Sequence, residues 1–178
     1  RAWLFQHALG ENAGEALTSP QPLSPEHDLS TFSCGTPELD AWLRHRALRN
    51  EGRFSRTYVM CRGRKVVGYY CISAGALGRA AVPGKLRRNA PDMIPVSIIG
   101  RLAVSLDHAG QGLGADLLLD AFGRIAAASR TLGISAVLVQ AKDERARRFY
   151  LNCADFIEYP EESRLLLLPI ETVIAAFS

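Results

Sequence analysis

The period of apolar and polar positions changes several times along this chain, and each change marks an element. Residues 98–106 form an apolar run of strand length, and residues 107–114 follow as a loop with glycines at positions 110, 112 and 114. From Leu113 onward Leu117, Leu118, Ala121, Phe122 and Ile125 recur at helical spacing. Upstream, Thr36 and Pro37 predict a helix start, with Thr36 as cap and Pro37 at the first position. That helix puts Leu39, Trp42, Leu43 and Ala47 on an inner face and leaves Asp40, Arg44, His45 and Arg49 outward. A turn through residues 50–54 leads into strand-like stretches at 55–61 and 65–73, joined by the hairpin turn Arg62-Gly63-Arg64. Residues 77–95 read as loop with one short helix at 83–88. Gly133 predicts the C-cap of the central helix, and residues 134–140 a buried strand. Asp143 then caps a short helix with Ala146, Phe149, Tyr150 and Cys153 on one face, before two strands near 155–159 and 164–168. Early antiparallel strands followed by a strand–helix–strand unit predict an α/β (α+β) fold with a mixed central sheet flanked by helices.

At 178 residues the chain has the length of one domain. Residues 1–22, running into a stretch at 18–25 with three prolines and two serines, read as an N-terminal extension or linker without an assigned role, and 23–178 as the domain proper. No apolar run reaches the roughly 18 to 20 residues needed to cross a membrane, and a basic region followed by an apolar leader core is not seen at the N-terminus. The scattered cysteines Cys34, Cys61, Cys71 and Cys153 form no metal-ligand spacing and read as reduced thiols of a cytoplasmic protein, so no metal is expected. The net charge of +3 hides an asymmetry: residues 38–88 hold 12 Lys and Arg against 3 Asp and Glu. That segregation fits either a polyanionic partner or a solvated basic face.

The strand, glycine loop and helix start are the chemically suggestive stretch. Free N–H groups and the helix dipole at such a start favour an anion, and glycine lets a diphosphate approach the backbone. A tight turn that binds nothing has the same outline. A nucleotide P-loop is excluded, because Ala115 and Asp116 follow Gly114 where Lys and Ser or Thr belong. The G-x-G-x-G spacing also departs from the dinucleotide pattern.

Taken together the motifs resemble those of the GNAT acetyltransferases over roughly residues 23–168, and most closely those of GNAT toxins of bacterial toxin–antitoxin systems. The matching residues are Cys34-Gly35 with Leu39-Asp40-x-Trp42-Leu43, then Leu86-Arg87-Arg88-Asn89-x-Pro91-Asp92-x-Ile94-Pro95. They continue with Arg101-Leu102-Ala103-Val104, Gly112-x-Gly114-Ala115-Asp116-Leu117-Leu118 and Ala146-x-x-Phe149-Tyr150. Two departures are Ala109, where the family pattern has Gln or Arg, and Ala154-Asp155-Phe156 in place of a Gly-Phe turn.

The resemblance implies transfer of acetyl from acetyl-CoA, without a metal, to the α-amino group of aminoacyl-tRNA, which blocks translation. It implies neutralisation by a ribbon-helix-helix antitoxin, operator DNA bound only through the antitoxin complex, a homodimer, a bacterial cytoplasmic location and no membrane partner. Tyr150 is the implied proton donor to the departing thiolate; a tyrosine with a reference pKa of about 10 carries its proton at neutral pH. By helical period alone it reads as a core residue that shares its face with Ala146 and Phe149. Leu102, Ala103 and Val104 would pair with the pantetheine arm, with the Val104 N–H toward the thioester oxygen. Gln111, Gly112, Leu113, Gly114 and Ala115 would hold the pyrophosphate, with Gln140 and Phe149 completing the cofactor set. Arg87 and Arg88, then Lys85, Arg44, Arg49 and Arg53, are the candidates for tRNA phosphates; Arg145, Arg147 and Arg148 flank Tyr150 and are candidates for the acceptor end or for CoA phosphates.

The stretch 95–106 contains no Asp, Glu or His to act as base. A lysine amine of pKa about 10.4 is neutral in roughly one molecule in a few thousand at pH 7, whereas an α-amino group titrates near 8 and lower still when its carboxyl is esterified. The missing base therefore favours an α-amino acceptor. A small amine or a protein N-terminus as acceptor, or a mainly co-repressor role beside the antitoxin, are the alternatives; the concentration of cations disfavours polycationic amines.

Overall fold

A computed structural model describes residues 15–178; most of the N-terminal extension read from the sequence, residues 1–14, lies outside them. The elements run β1 (Gln21–Pro22), α1 (Pro37–His45), α2 (Ala47–Asn50), β2 (Arg56–Arg62), β3 (Lys65–Gly78), α3 (Gly84–Arg87), β4 (Met93–Val104), α4 (Leu113–Ala128), β5 (Ala136–Gln140), α5 (Glu144–Cys153), β6 (Ile157–Glu158), β7 (Leu165–Pro169) and α6 (Ile170–Ala175). Among the described residues the strands form one mixed sheet in the order β1-β2-β3-β4-β5-β7-β6. β4 and β5 are parallel, with Val96 opposite Ala136 and Ile98 opposite Leu138. β7 runs antiparallel to both β5 and β6. This is the α/β fold that the sequence pattern predicts.

The chain divides into two compact units: the described residues up to Cys71 with Arg101–Asp120, and Ile72–Gly100 with Ala121–Ser178. In the first, Phe32, Trp42, Leu43, Ala47, Val59, Val66 and Tyr69 form a core between α1 and the strands. Gly68 of β3 has a specific reason to be glycine. A Cβ there would meet Leu117 of α4 at 3.0 Å and the Ala103 carbonyl at 3.5 Å, so the missing side chain lets the start of α4 lie close to the sheet. In the second unit Ile94, Val96, Ala136, Leu138 and Leu167 pack with Val82 and the partly buried Leu86. Burial of this kind contributes about 1.5–3 kcal/mol for each large aliphatic side chain.

Several boundaries differ from the sequence reading. Asp40 is not outward but buried at 6% exposure. Its Oδ1 accepts the Cys34 N–H at 2.9 Å, so this first-turn acid reaches back to the segment entering α1. Thr36 stands at the N-cap position without a side-chain capping bond. β4 starts at Met93, not at 98, because Pro95 does not stop it: the Pro95 carbonyl accepts the Ser135 N–H at 2.9 Å, and only a donor is missing. α4 ends at Ala128, where Ser129 Oγ donates back to the Ala126 carbonyl at 2.7 Å. Gly133 therefore caps nothing and has no left-handed φ. On α5 the predicted inner face narrows to Tyr150, with Cys153 exposed. Gln21–Pro22 adds a short strand paired with Tyr58 and Val59 of β2, in a stretch read as linker, and α6 was not foreseen. No helix among the described residues is long and apolar enough to cross a membrane.

Candidate active site

The glycine loop is built as its composition requires. After β4 a single turn of 3-10 helix, Leu106–His108, leads into Ala109, and Gly110 and Gly112 follow at φ +75° and +79°. Residues with a side chain rarely take this conformation. A Cβ built at either glycine meets nothing within 4 Å, so the space beside the loop is open. Leu113 then turns in as a buried anchor, and the Asp116 N–H closes on the Gly112 carbonyl at 3.2 Å, which starts α4. A 16-residue helix supplies its dipole behind this turn. Gln111 and Ala115 are exposed and Gly114 half-buried. Ala109, the departure from the family pattern, keeps the backbone turn through its N–H to the Leu106 carbonyl at 3.2 Å.

Leu102, Ala103 and Val104 end β4 on the way into this loop, with Ala103 buried and its neighbours half-buried. The end of β4, two left-handed glycines and the start of α4 thus follow one another within the first unit.

In the second unit α5 is started by Asp143, whose Oδ1 accepts the Ala146 N–H at 2.8 Å. The helix buries Tyr150 at 7% exposure. The Tyr150 ring meets Phe149 at 5.1 Å and Phe156 at 5.9 Å, both edge-on, so its position is fixed by packing. Phe149 itself is half-buried. Gln140, at the exposed end of β5, donates from Nε2 to the Ser163 carbonyl at 3.1 Å.

The basic candidates separate into two kinds. Arg87 donates to the Val82 carbonyl at 2.7 Å and to Tyr159 Oη at 3.2 Å, and Arg44 to the Phe32 carbonyl at 2.7 Å; both help hold the fold. Lys85, Arg88 and Arg49 are exposed. Arg53 lies over the ring of Phe54 at 5.6 Å, at the tip of a turn in which the Asn50 carbonyl accepts the N–H groups of Arg53, Phe54 and Ser55. Phe54 is 68% exposed. Arg147 is bound to Glu158 at 2.9 and 3.1 Å and to Glu144 at 3.1 Å, which withdraws it from the set beside Tyr150. Its guanidinium holds the Glu158 carboxyl below the usual carboxylate range.

Sequence reasoning quoted Arg101 in a motif but gave it no role. Its guanidinium stacks on the Trp42 ring at 4.2 Å, and Trp42 stacks in turn on Tyr69 at 6.1 Å and 11°. Arg101 and Trp42, with Glu38, Ala41, His45 and Arg46, line an open cavity of about 360 Å³. Two arginines against one carboxylate leave the rim of this cavity net positive. The only signal in the sequence was the consecutive run Arg44-His45-Arg46 at the end of α1.

Comparison with known proteins identifies the family. Residues 23–156 match the acetyltransferase (GNAT) family. The chain is 41% identical to a tRNA-acetylating toxin of Mycobacterium tuberculosis (strain ATCC 25618 / H37Rv), over 85% of its own length and 92% of the relative's. The toxin AtaT in complex with acetyl-methionyl-tRNAfMet superimposes with a TM-score of 0.82 at 32% identity, covering 91% of this chain and 99% of that one. A tyrosine-to-phenylalanine variant of AtaT bound to the C-terminus of the antitoxin AtaR and acetyl-CoA gives 0.78 at 30% identity, covering 92% and 99%. The family match over residues 23–156, the mixed sheet and this agreement in sequence lead to one conclusion: the chain belongs to the GNAT family of acetyltransferases.

Proposed function

We propose that this protein is a toxin that transfers acetyl from acetyl-CoA to the α-amino group of aminoacyl-tRNA and so blocks translation. The observation that carries this is the open glycine loop at the start of α4 in a chain so similar to a tRNA-acetylating relative. In this reading Leu102, Ala103 and Val104 receive the pantetheine arm, and Gln111 to Ala115 the pyrophosphate, with Gln140 and Phe149 beside the cofactor. The amine attacks the thioester carbonyl, the C–S bond breaks, and Tyr150 gives its proton to the departing thiolate, while the nitrogen loses its surplus proton to solvent, from which Tyr150 is reprotonated. The α-amino group of an aminoacyl ester is already largely neutral near pH 7, which suits a site without an evident base.

The exposed cations Arg49, Arg53, Lys85 and Arg88, joined by Arg101 and Arg46 at the α1 cavity, are assigned to tRNA phosphates. Arg44 and Arg87 contribute through the fold they brace. A ribbon-helix-helix antitoxin is the proposed neutralising partner, with operator DNA bound by the complex of the two. A homodimer in the bacterial cytoplasm completes the reading; the exposed Ile174 and Phe177 at the C-terminus offer apolar surface for such pairing.

The test is incubation with radiolabelled acetyl-CoA and bulk tRNA, aminoacylated in one tube and deacylated in the other. Label on the aminoacylated RNA alone is expected. Label on neither RNA, with acetyl-CoA still bound, would transfer the acceptor to a small amine or a protein N-terminus.

A further inference from the structure

The chemistry above leaves one linked set of side chains unused. His108 closes the 3-10 turn two residues ahead of Gly110. Arg62 Nε lies 3.0 Å from His108 Nε2, and Ser105 Oγ lies 3.1 Å from His108 Nδ1. A guanidinium only donates, so Nε2 must accept; the ring is neutral, with its proton on Nδ1 directed to Ser105 Oγ. Ser105 is itself anchored, 7% exposed with its N–H on the Val67 carbonyl at 2.8 Å. The backbone follows the same path: His108 N–H donates to the Ser105 carbonyl at 3.0 Å, and Leu106 N–H to the Ser33 carbonyl at 2.8 Å. The imidazole thus ties the entry of the glycine loop to Arg62 at the end of β2.

We propose that His108 is a positioning residue that sets the phosphate-binding loop for acetyl-CoA and releases it when the ring takes up a second proton. The inference rests on the assignment of that loop to the CoA diphosphate. Protonation puts a hydrogen on Nε2, so that two donors and two positive charges face each other at hydrogen-bond distance. The attraction becomes repulsion, the ring leaves Arg62, and the turn before Gly110 loses its outer tether.

The charges around the ring set the range in which this happens. Burial and the nearby Arg62 and Lys65 hold its ionisation below the ordinary histidine value, and Asp107 alone opposes them. The tether is therefore closed at neutral pH and opens only as pH falls below the usual range near 6.5.

The experiment is calorimetric titration of the full chain with acetyl-CoA between pH 5 and 8, for wild type, His108→Gln and His108→Ala. Glutamine offers Arg62 an acceptor that does not titrate. At pH 7.5 the alanine variant is expected to bind about tenfold more weakly, as befits loss of a hydrogen bond to a charged group, and the glutamine variant within about twofold of wild type. On acidification wild type loses about tenfold more affinity than His108→Gln; the comparison cancels titration of the CoA phosphates, which is common to both. Parallel pH curves for wild type and His108→Gln overturn the proposal, whether or not the alanine variant folds. Unchanged affinity in a folded His108→Ala also overturns it. Absence of acetyl-CoA binding by wild type at every pH strikes the loop assignment first and removes this inference with it.

Discussion

The guanidinium of Arg101 lies 4.2 Å from the centre of the Trp42 ring, at the rim of the α1 cavity. A stacked arginine keeps its N–H edge available while its plane is fixed, which suits a phosphate. Arg101→Ala is expected to raise the KM for aminoacyl-tRNA severalfold and lower the salt slope of RNA binding by about one. Arg101→Lys keeps the charge without the fork and recovers only part of the loss. Since such a stack is worth about 0.5–1 kcal/mol at an exposed site, melting temperatures of both variants stay close to wild type. Equal KM values for all three proteins would remove the cavity from the RNA surface.

Tyr150→Phe separates chemistry from packing. The ring contacts with Phe149 and Phe156 survive, so the stability change is expected to stay within about 1.5 kcal/mol. If Tyr150 delivers the proton, kcat falls by about a hundredfold or more while acetyl-CoA affinity is retained. Unaltered turnover would return Tyr150 to a purely structural role.

Gly112→Ala tests the cradle. No atom obstructs a Cβ there, so the cost comes from φ +79° alone, about 1–2 kcal/mol. Thermal denaturation is expected to show that modest loss, and calorimetry a larger one in acetyl-CoA affinity as the loop relaxes away from the left-handed conformation. Equal losses in both measurements would mean that the turn is structural only.

The pair Arg147–Glu158 predicts the direction of acid sensitivity. Arg147 lowers the Glu158 pKa in the folded state, so the unfolded chain binds the proton first on acidification. The contribution is fully present above the ordinary carboxylate range and is lost as pH falls through the depressed value. Replacing Glu158 by Gln should flatten the stability–pH curve below pH 5, and a variant curve parallel to wild type would show that the pair does not couple to folding.

The outline of the fold was legible because its strongest signals are local. Leu117, Leu118, Ala121, Phe122 and Ile125 repeat at helical spacing and are all buried, and Asp143 stands one residue before α5 and caps it as read. Tertiary partners decided what the sequence hid. Asp40 looks like a surface acid until the Cys34 N–H is found against it, and Pro95 looks like a strand breaker until its carbonyl is seen to be the group that pairs. The glycine loop was legible as a motif, but the left-handed assignment of Gly110 and Gly112, and not of Gly114, depends on how the chain enters α4. Arg101, His108 and the bracing roles of Arg44 and Arg87 were out of reach, since each has a partner that lies 12 to 72 residues away or is an aromatic face that carries no pattern of its own.

The turn after α2 has a consequence for how this protein can change. Its shape is held by the Asn50 carbonyl, which collects three backbone N–H groups, and by the Gly52 N–H on the Ser55 carbonyl at 3.1 Å, with Gly52 at φ +80°. None of those bonds uses the side chain of Arg53 or Phe54. Those two positions are thus decoupled from folding and can be exchanged at little thermodynamic risk. A library randomised at 53 and 54 alone should remain almost entirely folded, leaving selection to act on whatever the tip touches.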